Sequence, residues 1–73
     1  MINHHPNYSL IGQRVKERRK AKQMTQEKLA EHIEMSAKYI SHIETGRKKA
    51  SLMSLYRIVQ ALDMTLDFLV FGV

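Results

Sequence analysis

Cysteine is absent from the 73-residue chain, and proline occurs once, at Pro6. Without thiols the protein has neither a disulfide framework nor a Cys-ligated zinc site. A core that is thin at this length must therefore be held by helix packing, aided by oligomerisation. No apolar run approaches the roughly 18 residues of a membrane span, and Met1 to Tyr8 lack the charged start and apolar middle of a secretory leader. The expectation is one small domain of the cytoplasm, with no membrane partner. Catalytic equipment is equally scarce. There is no glycine-rich phosphate loop and no metal triad, and the domain is too small for a sizeable pocket. The adjacent His4 and His5 lack a third ligand, so no metal and no cofactor is expected, and the chain does not read as an enzyme.

Positive charge is what the chain has, and it is uneven. The net charge is +5 with a pI near 9.8. Residues 1–49 hold 11 Lys/Arg against 5 Asp/Glu, whereas residues 50–73 hold only Arg57 against Asp63 and Asp67. A basic front and an apolar tail suggest a polyanion partner at one end and a packing or pairing surface at the other. Charge alone leaves a solvated basic face as an equally good reading.

Hydrophobic spacing divides the chain into five short helices with no strand alternation and no repeat, an all-α fold. Residues 1–8 have no helical period and read as a short arm, leaving 9–73 as the domain. Ser9 is the expected cap of a first helix over about Leu10 to Lys22, whose apolar stripe of Ile11 and Val15 continues into charged Arg18 and Lys22. Thr25 caps Gln26 to Ile33, and Ser36 caps Ala37 to Glu44. Gly46 stops the third helix, Ser51 opens a fourth to about Leu62, and Thr65 caps Leu66 to Phe71. The last helix is apolar nearly all round and must be buried in its own core or against another chain.

The third helix carries the chemistry. At about 100° per residue, Lys38, Ser41, His42 and Thr45 share one third of its circumference, opposite Ile40 and Ile43. Lys38 and His42 can donate to guanine edges, Ser41 can donate or accept, and the Ala37 methyl can touch a thymine methyl. Glu44 falls on the inner flank, where an unpaired carboxylate is costly, and Arg19 of the first helix is placed to take it in a two-bond fork. Tyr39 is split between packing its ring under the turn and reaching a phosphate with its hydroxyl.

"RVKERR", "MTQEKLAEHI", "SAKYISHIETGRK" and "LDMTLDFL" stand in order over residues 11–69, and this stretch resembles the phage-repressor-type family (Cro and lambda-repressor-like, also called XRE). The resemblance implies a five-helix lambda-repressor-like DNA-binding domain with the helix-turn-helix formed by the second and third helices. It implies base reading by Ala37, Lys38 and His42, joined by Ser41. Phosphate contacts are implied for Gln26, Thr45, Arg47 and Lys49, with Arg14 from the first helix, and the family's structural ion pair falls on Arg19 and Glu44. Glu34 and Gln23 replace common glycines, so Glu34 is expected to take a right-handed or a strained conformation. Thr45 replaces a common Asn, Ala50 a common Pro, and Arg18 a common Leu, which should thin the core.

The function expected is a transcriptional regulator, a repressor, that binds double-stranded DNA as a homodimer on a palindromic operator. Its dimer seam would be Leu66, Leu69, Val70 and Phe71. The alternative is an antitoxin-like protein whose apolar end docks a protein partner. A third reading, sequence-independent nucleic-acid binding, fits Ser41 and His42 less well than it would fit two more lysines.

Overall fold

A computed structural model describes residues 7–73. Most of the expected arm, including His4 and His5, lies outside the described residues. Five helices follow in order: α1 (Tyr8–Ala21), α2 (Gln26–Ile33), α3 (Ala37–Glu44), α4 (Leu52–Ala61) and α5 (Leu66–Phe71). No helix among the described residues is long and apolar enough to cross a membrane.

Four starts fall on the hydroxyl residues expected from sequence. Thr25, Ser36, Ser51 and Thr65 each accept the amide three residues on, at 3.0–3.1 Å. The first helix corrects the expectation: its cap is Asn7, which accepts from the Leu10 amide at 3.1 Å, not Ser9. Asparagine caps as well as serine, and the earlier start brings the Tyr8 ring against the core. Ser9, now inside the first turn, instead meets the loop after α3 at Gly46, whose φ of +76° suits a residue without Cβ.

The core joins one side of every helix. Ile11 and Val15 of α1 meet Leu29 and Ile33 of α2, Ile40 and Ile43 of α3, and Ile58 and Leu62 of α4, all fully or nearly fully buried. Ridges of Ile and Leu at three- and four-residue spacing account for this without any residue of unusual type. Helix α1 packs on α3 and α5, while α2 packs on α3 and α4, so α3 is gripped from both sides.

The first-helix arginines are used inside the fold. Arg18 does not merely thin the core: its Nε donates to the Leu62 carbonyl at 2.8 Å and its Nη2 to that of Asp63 at 3.0 Å, closing the end of α4. Arg14 donates to the Leu69 and Val70 carbonyls of α5, both at 3.1 Å. Arg57 does the same for α2 at the Ile33 carbonyl, 3.3 Å away. Helix C-termini carry unpaired carbonyls and partial negative charge, so a guanidinium satisfies both. Lys22 pairs with Asp63, and that hydrogen bond and charge hold the Asp63 carboxyl below the usual carboxylate range.

Glu34, between α2 and α3, is left-handed at φ 59°, ψ 45°, the strained alternative of the two. Gln23 (φ 58°) and Asp63 (φ 53°) close the neighbouring turns in the same way. A residue with Cβ pays about 1–2 kcal/mol in this region. Glu34→Gly and Gln23→Gly are each expected to raise stability by about 0.5–1 kcal/mol in urea unfolding, after the larger unfolded-state entropy of glycine is deducted. An unchanged or lowered midpoint would mean that this entropy outweighs the strain.

Candidate nucleic-acid interface

Helix α3 is fixed through its inner side. Ile40 and Ile43 are buried, and between them and solvent lies Glu44, whose side chain is 1% exposed. Arg19 Nε donates to Glu44 Oε2 at 2.7 Å and Arg19 Nη2 to Oε1 at 3.1 Å, the two-bond fork that suits a planar guanidinium. Gln26, first residue of α2, adds Nε2 to Oε1 at 3.0 Å. Arg19 Nη1 also donates to the Met24 carbonyl in the α1–α2 turn, at 2.7 Å. The Arg19–Glu44 pair therefore ties α1, the turn, α2 and α3 together.

The outer side is left to other contacts. Lys38 is exposed, while Ala37, Ser41 and His42 are half-buried. Ser36, Lys38, Tyr39, His42 and Lys48 line an open groove of about 340 Å³ along this face. The structure thus brings Ala37, Lys38, Ser41 and His42 onto one short helix, with Gln26 at the start of α2 beside its base. The first amides of α2 have no acceptor within the helix, so they offer a positive end at the same place. Arg47 and Lys49 lie exposed in the loop after α3.

Three residues expected at phosphate are bonded within the fold. Arg14 Nη1 donates to the carbonyls at the end of α5. The Thr45 hydroxyl donates back to the Ser41 and His42 carbonyls, at 3.0 and 3.3 Å. The Tyr39 hydroxyl donates to Ser54 Oγ at 3.1 Å, pinning α3 to the start of α4. Two residues were missed. Lys48 joins the groove, a role its place in a basic run does not distinguish from that of its neighbours. Gly12 lies against the last turn of α3, and a glycine inside a helix was the signal for it. Among the described residues no group of three His, Cys, Asp or Glu is placed to hold a metal.

The helix-turn-helix family HTH_3 matches residues 15–69, three quarters of the chain and all of the geometry above except the start of α1. The chain belongs to this helix-turn-helix family. An uncharacterised transcriptional regulator in the ATPase CF(0) region of Rhodospirillum rubrum is 41% identical over 58 residues, 80% of this chain and 54% of that protein. The chain thus spans about half the length of that relative. Control protein C.BamHI of Bacillus amyloliquefaciens is 40% identical over 68 residues, 86% of this chain and 84% of that protein. Among solved structures, the P22 c2 repressor protein in complex with synthetic operator 9T superposes with a TM-score of 0.84 at 28% identity, covering 88% of this chain and 97% of that one. The five-helix, lambda-repressor-like architecture expected from the sequence is the one found.

In this helix-turn-helix domain the apolar C-terminal end is arranged differently from expectation. Leu69 is 0% exposed and belongs to the domain's own core, so it cannot form a seam with another molecule. Leu66 and Val70 are half-buried against that core, which leaves Phe71, 65% exposed, as the outward member of the four. Phe68 and Val73 are exposed with it, as are Leu52, Met53 and Tyr56 on the outer side of α4. A helix apolar all round had left open which side its own domain covers.

Proposed function

We propose that this helix-turn-helix protein binds double-stranded DNA sequence-specifically and regulates transcription as a repressor, with α3 in the major groove. One observation carries the reading: α3 turns Lys38, Ser41 and His42 away from the core while its inner side is locked by the Glu44 hub. Short polar groups on a rigid helix suit base edges, and a locked helix loses little freedom on docking. Gln26 and the open end of α2 hold one phosphate, and Arg47, Lys48 and Lys49 hold others beyond α3. Such a protein acts in the cytoplasm, where its DNA is.

A selection from randomised duplexes at fixed salt tests this. An enriched sequence is expected, and Lys38→Ala, Ser41→Ala and His42→Ala should each relax preference at separate positions, at about 1–3 kcal/mol for a lost bidentate contact and less for a single bond. Binding that responds to salt but enriches nothing would replace specific regulation with non-specific binding.

The proposed active unit is a homodimer reading two half-sites about 34 Å apart. Phe68, Phe71 and Val73 of the C-terminal end, together with Leu52, Met53 and Tyr56 of α4, are the exposed apolar groups that support it. Phe71→Glu with Tyr56→Glu should then shift the light-scattering mass from dimer to monomer and weaken operator binding at least ten-fold. A wild-type chain that stays monomeric on its operator would exclude the dimer. It would also favour the second reading, an antitoxin-like protein docking a partner through the same apolar groups.

A further inference from the structure

Resting on the DNA-binding reading above, we propose that Tyr8 is a positioning residue that aims Lys49 at the DNA backbone, with Tyr39 and Lys48 in a matching arrangement beside it. The loop after α3 has a fixed backbone. The amides of Arg47 and Lys48 both donate to the His42 carbonyl, at 2.9 and 3.2 Å, and Gly46 sits against Ser9 of α1. From this frame Lys49 Nζ stands 5.6 Å from the centroid of the Tyr8 ring, and Lys48 Nζ stands 5.9 Å from that of Tyr39. Both distances fall within the reach of cation–π attraction.

The rings are themselves held. Tyr8 and Tyr39 are half-buried and packed against the core, and the Tyr39 hydroxyl is bonded to Ser54, which is 1% exposed. A lysine free in solvent loses much rotamer entropy when it meets a phosphate. One already resting on an anchored ring has lost part of that freedom before DNA arrives. Its ammonium stays exposed on the other side, where a phosphate can approach. Because phosphate contacts carry no base information, the rings set affinity and leave sequence preference untouched.

The test uses the full chain and the duplex selected for the wild type, with Tyr8→Leu, Tyr8→Phe, Lys49→Ala and the Tyr8→Leu/Lys49→Ala pair. Tyr8→Leu is expected to weaken binding about two- to five-fold. Tyr8→Phe should bind like wild type, base preference should be unchanged throughout, and Tyr8→Leu should cost nothing further once Lys49 is alanine. In the free protein, proton NMR should show the Lys49 ε-methylene shifted upfield by the Tyr8 ring. That readout needs only the wild-type chain, so it decides even if Tyr8→Leu fails to fold, and a Lys49 ε-methylene at its ordinary position would overturn the proposal. Equal or tighter binding by Tyr8→Leu, or the same loss with and without Lys49, would overturn it as well. A wild-type chain that binds no duplex would remove the DNA-binding reading and this proposal together, whereas binding without Tyr8–Lys49 coupling removes this proposal alone.

Discussion

Glu44→Ala is expected to destabilise the domain by about 3–5 kcal/mol, because it leaves the Arg19 guanidinium buried without its counter-charge. The Arg19 side chain is only 9% exposed and cannot turn fully to water, since its Nη1 remains bound to the Met24 carbonyl. A chain of this length has roughly 4–11 kcal/mol of total stability, so the loss is a large part of the whole. At about 4–8 °C per kcal/mol for a small domain, Tm should fall by roughly 12–40 °C in a thermal melt. Replacing both partners, Arg19→Met with Glu44→Leu, should recover most of that fall, as apolar pairs of similar volume often do. Operator affinity is the informative second readout. If the fork sets the angle of α3, the double variant will fold yet bind its operator weakly. A loss under about 1 kcal/mol in Glu44→Ala would give the fork no more weight than an exposed pair.

The fork was legible because regular helix geometry fixes where a side chain points. Glu44 is one position past the Ile40 and Ile43 stripe, and Arg19 is four residues beyond Val15, so both face inward before any tertiary structure is known. The caps Thr25, Ser36, Ser51 and Thr65 were legible for a local reason too, since each bonds an amide three residues on. Asn7 was not, because Asn7 and Ser9 are both good caps and only the packing of Tyr8 chooses between them. What the sequence hides are partners far along the chain. Arg14 and Arg18 look like a basic face, and their acceptors are carbonyls 44 to 56 residues away that carry no side-chain signature. The same limit hid the inward turn of Leu69. The outer face of α3 lies on one helix and could be read off; the partners of Arg14, Tyr39 and Thr45 depend on the assembled fold.

Gly12→Ala should destabilise the domain by about 3 kcal/mol, the upper end for an overpacked core, although it adds a single methyl group. In an open helix the same change would stabilise by about 1 kcal/mol, so the sign separates the two environments. A Cβ at Gly12 would run into the Ile43 carbonyl oxygen and lie 2.9 Å from the carbonyl carbon and oxygen of Glu44. These are backbone atoms at the end of α3, and no rotamer change moves them aside. Relief requires α1 and α3 to separate, and that stretches the Arg19–Glu44 fork, because Gly12 and Arg19 are seven residues apart on one face of α1. The two sites should therefore couple: Gly12→Ala is expected to cost less in a Glu44→Ala background than in wild type, by 0.5 kcal/mol or more in a double-mutant cycle. Urea unfolding of the four proteins measures this, and a stabilised Gly12→Ala chain would mean that α1 and α3 do not meet at this distance. On the proposed DNA-binding function, in which α3 enters the groove, a folded Gly12→Ala protein should also lose operator affinity without any change to a residue on the outer face.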